Sequence, residues 1–246
     1  MVFRDRQQAG TLLAAKLERF REARPIVFGL TRGGVPVAFE VARMLGAPLE
    51  PMVVRKIGAP GCPEYAIGAI AERGGVWVNP EASREAGLSD EDIAALAEHE
   101  AVELARRVRA YRGDRPFPDV SGRTVILVDD GIATGATARA AARAARRAGA
   151  ARIVLAAPVI AAASEPELRR DLDDVVAVDL PLELVAVGLW YERFPEISDE
   201  EVLAVLRRAS EAGRDVEAGE MWDGEWMGPD PGPEPSEEGE EQSPGP

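Results

Sequence analysis

The chain contains very little cysteine, histidine or lysine. Among its 246 residues there is one cysteine, Cys62, and one histidine, His99, and Lys16 and Lys56 are the two lysines among 29 basic residues. One cysteine excludes an internal disulfide, and one histidine excludes a metal site built from several histidines. The N-terminus lacks the apolar core of a secretory signal, so we expect a cytoplasmic protein.

Long apolar runs and a basic surface are missing as well. Apolar runs such as residues 153–163 are too short to span a bilayer, so no membrane partner is expected. Of the net charge of −14, −10 belongs to residues 214–246, where eleven acids accompany one arginine; this leaves −4 for the rest and no basic stripe for nucleic acid. Residues 1–212 are predicted to form one domain and residues 213–246 an acidic, Pro/Gly-rich disordered tail.

The most informative stretch is residues 125–137, which read VILVDDGIATGAT. Its four apolar residues predict a strand of a parallel sheet, buried on both faces and ending at Asp129 and Asp130. A loop of small residues follows, and then a predicted helix over residues 138–148. Loop N–H groups, the helix N-terminus and the hydroxyls of Thr134 and Thr137 suit a phosphate. The adjacent carboxylates suit vicinal hydroxyls or a hard cation, as ribose 5-phosphate with Mg²⁺ would provide.

This stretch lacks the motifs of two common nucleotide-binding folds, since neither G-x-x-x-x-G-K-[ST] nor a strand followed by G-x-G-x-x-G occurs. It resembles instead the phosphoribosyl pyrophosphate (PRPP) signature of type I phosphoribosyltransferases, in which four apolar residues and two acids precede a loop ending Thr-Gly-x-Thr. An ordinary βα turn is the alternative. The resemblance implies an α/β fold: a doubly wound, mostly parallel sheet flanked by helices, with a small C-terminal hood. Residues 89–111 are predicted to add a helical insertion.

An earlier strand, residues 26–30, also leads into a glycine-containing loop, residues 31–34, and a helix. This loop resembles the family's pyrophosphate loop, although it could be a plain βα turn. The next strand, residues 49–54, is predicted to end at Arg55 and Lys56. The resemblance implies a basic residue near the pyrophosphate there, and a solvated charge is the alternative. Residues 58–68, rich in turn formers, match the position of the family's flexible loop.

The resemblance also implies where a base would bind. Val159 and Ile160 occupy a position that the family uses beside the nucleobase, and residues 189–191 are candidates for the hood surface that stacks on the base. An equal alternative is that these aromatic side chains only complete the hydrophobic core. Ala133 stands where enzymes for 6-oxopurines carry a third acid, so a 6-oxopurine is not the expected base.

The implied activity is displacement of pyrophosphate from PRPP by a nitrogen of a base, or the reverse, assisted by Mg²⁺. The catalytic residues it implies are Asp129, Asp130, Arg32 and Lys56, the two aspartates holding the ribose hydroxyls and the metal directly or through water. The implied 5-phosphate set is Gly131, Ile132, Ala133, Thr134, Gly135, Ala136 and Thr137. The implied pyrophosphate set is Thr31, Arg32, Gly33, Gly34 and Lys56. The implied base set is Val159, Ile160, Leu189, Trp190 and Tyr191.

A second class of function stays open, in which the site only senses PRPP or a nucleotide. A hydrolase acting on a ribose phosphate would need a nucleophile–base pair, which the sequence does not display. The expected partners are PRPP and a small nitrogenous base or nucleotide. The helix at residues 89–111 either packs on the sheet or forms a subunit contact, and the second case would make a homodimer.

Overall fold

The computed structural model describes residues 1–217. The helices are α1 (Arg6–Leu17), α2 (Gly34–Leu45), α3 (Pro80–Glu85), α4 (Asp90–Arg112), α5 (Ala136–Arg147), α6 (Glu165–Asp171) and α7 (Asp199–Glu217). The strands are β1 (Ile26–Leu30), β2 (Leu49–Met52), β3 (Val54–Ala59), β4 (Cys62–Ala71), β5 (Gly75–Val78), β6 (Thr124–Val128), β7 (Arg152–Val159) and β8 (Asp174–Asp179). Short 3₁₀ helices cover Glu18–Ala23, Glu72–Gly74 and Val187–Trp190.

The centre of the fold is a five-stranded sheet in the order β2-β1-β6-β7-β8. All of its strand pairs are parallel, and Phe28 of β1 lies opposite Leu127 of β6. Helices α1 and α2 pack on one face, where Leu13 and Val41 meet Ile126. Helix α5 packs on the other face. Strands β1 and β6 are therefore buried on both sides, and the predicted doubly wound α/β fold is confirmed.

The connections that follow the neighbouring parallel strands β1 and β6 go to opposite faces of the sheet. The chain leaves β1 into α2 on one face, and leaves β6 into α5 on the other. This is the point of an open α/β sheet where the strand order reverses, and ligands of such sheets bind there, at the carboxyl ends of the strands. The loops at residues 31–33 and 129–135 lie at this point.

A separate three-stranded antiparallel sheet, β3-β4-β5, stands where a loop was predicted. Residues 58–68 lie mostly in the β3–β4 hairpin, in which Ala59 pairs with Cys62, so the loop prediction is wrong. The predicted strand at residues 49–54 is also two strands, β2 and β3. Ile57 and Ile67 bury against α4 beside Leu96, and this long-range packing outweighs the local turn propensity.

The helical insertion is confirmed as α4. Its N-terminus is closed by a reciprocal capping box between Ser89 and Asp92. Helix α7 extends to Glu217, so the first five residues of the predicted tail, residues 213–246, continue this helix, and the remainder lies outside the described residues. Within residues 1–217, none of the helices has the length and apolar character needed to cross a membrane.

The C-terminal hood, residues 180–198, is joined to the first residues of the chain. Phe3 forms a parallel bridge with Tyr191. The Phe3 N–H donates to the Trp190 carbonyl and the Glu192 N–H donates to the Phe3 carbonyl, each over 2.8 Å. The N-terminal segment and the hood are thus one structural unit, from which α1 begins.

Candidate active site

The acid pair, Asp129 and Asp130, directly follows β6. The Asp130 N–H donates to Asp129 Oδ1 over 2.9 Å. Burial, and then the charge of Asp130, raises the pKa of Asp129 well above its ordinary value. Burial also raises the pKa of Asp130, whereas the Arg6 guanidinium opposes this rise. Two carboxylates are thus crowded at one edge of the sheet, where they favour a ligand that donates hydrogen bonds or carries positive charge.

The cation that meets this pair is Arg6, a residue that sequence reasoning missed. Its Nε donates to Asp130 Oδ2 over 2.9 Å, and its guanidinium forms an ion pair with the same oxygen at 2.8 Å. Arg6 opens α1 on the helix's buried stripe, which continues through Ala9 and Leu13. A charge on an apolar helix face was the signal that could have identified it.

The loop at residues 31–34 lies against the acid pair, and its glycines make this approach possible. A Cβ on Gly33 would lie 2.0 Å from Asp130 Oδ2, and one on Gly34 would lie 2.4 Å from the Val128 carbonyl oxygen. The Thr31–Arg32 peptide bond is cis. The Thr31 hydroxyl is buried without a hydrogen-bond partner among residues 1–217. Two successive residues without side chains thus let the loop pack directly against the acid pair.

The side chain of Arg32 is held by two carboxylates of the C-terminal region. It forms ion pairs with Glu196 of the hood and, at 3.8 Å, with Asp199 at the start of α7. Asp199 also accepts hydrogen bonds from the Tyr111 hydroxyl at 2.5 Å and from Arg106 at 2.9 Å. Arg32 is therefore connected to both α4 and α7.

The loop at residues 131–137 has the features of an anion cradle. Gly135 adopts φ = +76°, and α5 begins immediately after it without a side-chain cap, so the first N–H groups of the helix have no capping partner. Thr134 is exposed and Thr137 is half-buried. The Ser164 hydroxyl donates to the Ala133 carbonyl and ties this loop to the start of α6. The Ile132 N–H already donates to the Val159 carbonyl over 2.9 Å, so the loop's candidate donors are the hydroxyls of Thr134 and Thr137 and the N–H groups at the start of α5.

The remaining predicted residues lie in different surroundings. Lys56 is exposed within β3 of the antiparallel sheet, so its predicted place at the end of a central strand is wrong. Val159 and Ile160 are fully buried, and Tyr191 is almost so. Leu189 is 69% exposed and Trp190 is half-buried. The base-binding assignment of these five residues stays a prediction.

The acid pair and the two glycine-containing loops thus lie together at the strand-order reversal of a doubly wound α/β sheet. Residues 5–191 match the family described as the phosphoribosyl transferase domain. The chain belongs to this family.

Relatives support the assignment. Two Mycobacterium tuberculosis proteins, from strains CDC 1551 and H37Rv, each named "putative phosphoribosyl transferase", are 43% identical over 208 residues, or 85% of this chain and 47% of theirs. The chain thus spans about half the length of these curated relatives. The crystal structure of TT1426 from Thermus thermophilus is similar with a TM-score of 0.71 and 42% identity, over 85% of this chain and 99% of that one.

Proposed function

We propose that this protein transfers a phosphoribosyl group between PRPP and a nitrogenous base, with pyrophosphate as the leaving group or, in reverse, the nucleophile. The observation that carries the proposal is that two loops suited to anions flank one acid pair. Residues 31–34 touch Asp130 on one side, and residues 131–137 continue from it on the other. A ligand with phosphate groups at both ends of a ribose has the charge pattern that this arrangement complements.

The roles follow from the chemistry of each group. The hydroxyls and N–H groups of residues 131–137, apart from the Ile132 N–H that bonds Val159, hold the 5-phosphate. Residues 31–34 hold the pyrophosphate, with Arg32 supplying positive charge. Lys56 is a second candidate cation for the pyrophosphate. The carboxylates of Asp129 and Asp130 accept hydrogen bonds from the ribose hydroxyls. Holding the ribose between fixed anion sites orients C1 toward the incoming nitrogen. Because Ala133 supplies no acid to the loop, the base is not expected to be a 6-oxopurine.

The donor set fits Mg²⁺ that enters with its substrate. Within residues 1–217, no group of three or more His, Cys, Asp or Glu side chains could hold a metal by itself. Mg²⁺ commonly binds one or two carboxylates together with water and substrate phosphates, which two adjacent aspartates allow. Asp129, whose carboxylate is not paired with Arg6, is the residue best placed to hold it. When bound, Mg²⁺ would neutralise charge on the pyrophosphate.

The proposal predicts that Asp129→Asn and Asp130→Asn lower pyrophosphate release by about 100-fold or more, because a neutral amide replaces each carboxylate beside the ribose. PRPP is first titrated calorimetrically with and without Mg²⁺, and pyrophosphate release is then measured against a panel of bases. Asp119→Asn, at the opposite edge of the sheet, is the matched control and keeps wild-type release. Unchanged release in both site variants would contradict the assignment. PRPP binding without release for any base would favour a ligand sensor.

A second prediction concerns Glu196, whose carboxylate forms an ion pair with Arg32 in this structure. An incoming pyrophosphate competes for the same guanidinium, so Glu196→Gln should bind inorganic pyrophosphate more tightly. Since Glu196 is 83% exposed, the gain is about two- to fivefold. Glu192→Gln, an exposed acid of the same segment, is the control. The Kd is measured calorimetrically with Mg²⁺ present, and an unchanged or higher Kd for Glu196→Gln would argue against competition at Arg32.

A further inference from the structure

We propose that Phe3, Arg6, Tyr191 and Phe194 form a unit, the Arg6 clasp, that positions Asp130 toward the ribose hydroxyls of the substrate. The inference rests on the proposed function and assigns to Arg6 a role that acts through Asp130. It also gives the aromatic side chains of the hood a task other than stacking on the base.

The Arg6 guanidinium is held at two of its edges and at one face. One edge meets the Asp130 carboxylate, and Nη1 donates to the Pro195 carbonyl over 2.7 Å. Its face lies over the Phe194 ring, with the central carbon 3.8 Å from the ring centroid. The side chain is 9% exposed. A planar guanidinium held at its edges and its face has little freedom, so it fixes the carboxylate with which it pairs.

Asp130 is held from its backbone as well. The Tyr191 hydroxyl donates to the Asp130 carbonyl over 2.5 Å. The Tyr191 ring lies between Phe3, at 5.4 Å between centroids, and Phe194, at 4.8 Å. The Tyr191 ring is therefore packed within the clasp, which leaves Leu189 and Trp190 as the more accessible side chains of the predicted base set.

The clasp gives the two acids different roles. Two adjacent unpaired carboxylates would repel each other and would be costly to bury. Arg6 offsets the charge of Asp130 and orients it, so its remaining lone pairs can accept hydrogen bonds from neutral hydroxyls. Among residues 1–217, Asp129 has no ion pair of its own, and its buried carboxylate is left for a ligand that carries positive charge, such as a metal ion. Arg6 of the N-terminal segment, 124 residues before Asp130, and Tyr191 of the hood, 61 residues after it, thereby act on the same residue.

The test is a double-mutant cycle with ribose 5-phosphate as the probe. Calorimetric titrations compare the wild type, Arg6→Gln, Asp130→Asn and the double variant. If Arg6 acts through Asp130, Arg6→Gln raises the Kd about tenfold in the wild type but less than about twofold in the Asp130→Asn background. The Kd of inorganic pyrophosphate with Mg²⁺ should change less than about twofold in Arg6→Gln, because Arg32 anchors that group.

Arg193→Gln provides a matched control, since its exposed guanidinium pairs with Asp5 and not with the acid pair. Tyr191→Phe keeps the ring and removes one hydrogen bond, so it should raise the Kd of ribose 5-phosphate about threefold. If Arg6→Gln fails to fold, Tyr191→Phe takes its place in the cycle. Equal losses in both backgrounds, or no loss, would overturn the clasp alone. Absence of ribose 5-phosphate binding to the wild type would overturn both the clasp and the proposed function.

Discussion

Gly34→Ala is expected to lower pyrophosphate release by about 100-fold, because a shift of roughly 1 Å in a group that positions substrate can have this effect. The added Cβ would lie 2.4 Å from the Val128 carbonyl oxygen and 2.9 Å from Asp129 Cα. Both are backbone atoms of the strand that carries the acid pair, so no side-chain rotation relieves the contact. The loop at residues 31–34 must then move away from β6, which separates the two loops that we propose hold the phosphate groups.

The matched control for this variant is Gly46→Ala. Gly46 ends α2 with φ = +63° and no atom lies within 4 Å of its Cβ position, so alanine there costs about 1 kcal/mol of stability by backbone strain without touching the site. Gly34→Ala should cost about 1–3 kcal/mol through overpacking. Urea denaturation separates the stability effects from the change in release. Wild-type release by Gly34→Ala would show that the close approach of the two loops is not needed.

Arg112→Met is expected to lower the free energy of unfolding by about 3–5 kcal/mol, the largest stability effect among these variants, because it leaves a buried carboxylate without its cation. The side chains of Arg112 and Glu72 are 3% and 5% exposed and form an ion pair. Arg112 Nη2 also donates to the Pro51 carbonyl over 2.7 Å, and Glu72 accepts from the Val53 N–H over 3.0 Å. This network fastens α4 to the junction of β2 and β3.

Two further variants identify the cause of that loss. Arg115→Met removes a cation that is 59% exposed and pairs with Glu50 at 3.2 Å, and it should cost at most about 1 kcal/mol. Adding Glu72→Gln to Arg112→Met removes the unpaired charge while keeping an acceptor for Val53, so part of the lost stability should return. Stability is measured by urea denaturation. A loss for Arg112→Met no larger than that for Arg115→Met would rule out an important buried pair.

Much of the site could be predicted because its elements are local in sequence. Residues 125–137 contain a strand, two acids, a glycine-rich turn and a helix start in one continuous run, and each signal depends on near neighbours. The same holds for residues 26–45, where apolar residues, paired glycines and a helical pattern follow one another. The structure has the strands, loops and helices in these places, and the acid pair faces the glycines of the earlier loop.

The hairpin of β3 and β4 could not be predicted in this way. Its residues 58–63 read GAPGCP, a composition typical of a loop, and the strands form because Ile57 and Ile67 bury against α4. That contact depends on a helix more than twenty residues away in the chain. The misplacement of Lys56 has the same origin, since the chain leaves the central sheet after Met52 and enters the antiparallel one.

The sequence by itself determined the fold class and the positions of the two glycine-containing loops and the acid pair, because hydrophobic periodicity, glycine and adjacent carboxylates have local physical meaning. Only the tertiary structure decided which cations and acids meet there. Arg6 reaches Asp130 across 124 residues and Arg32 reaches Glu196 across 164. An arginine or a glutamate in sequence is most often a solvated surface charge, and a partner is assigned to it only when folding brings distant segments to the same edge of the sheet.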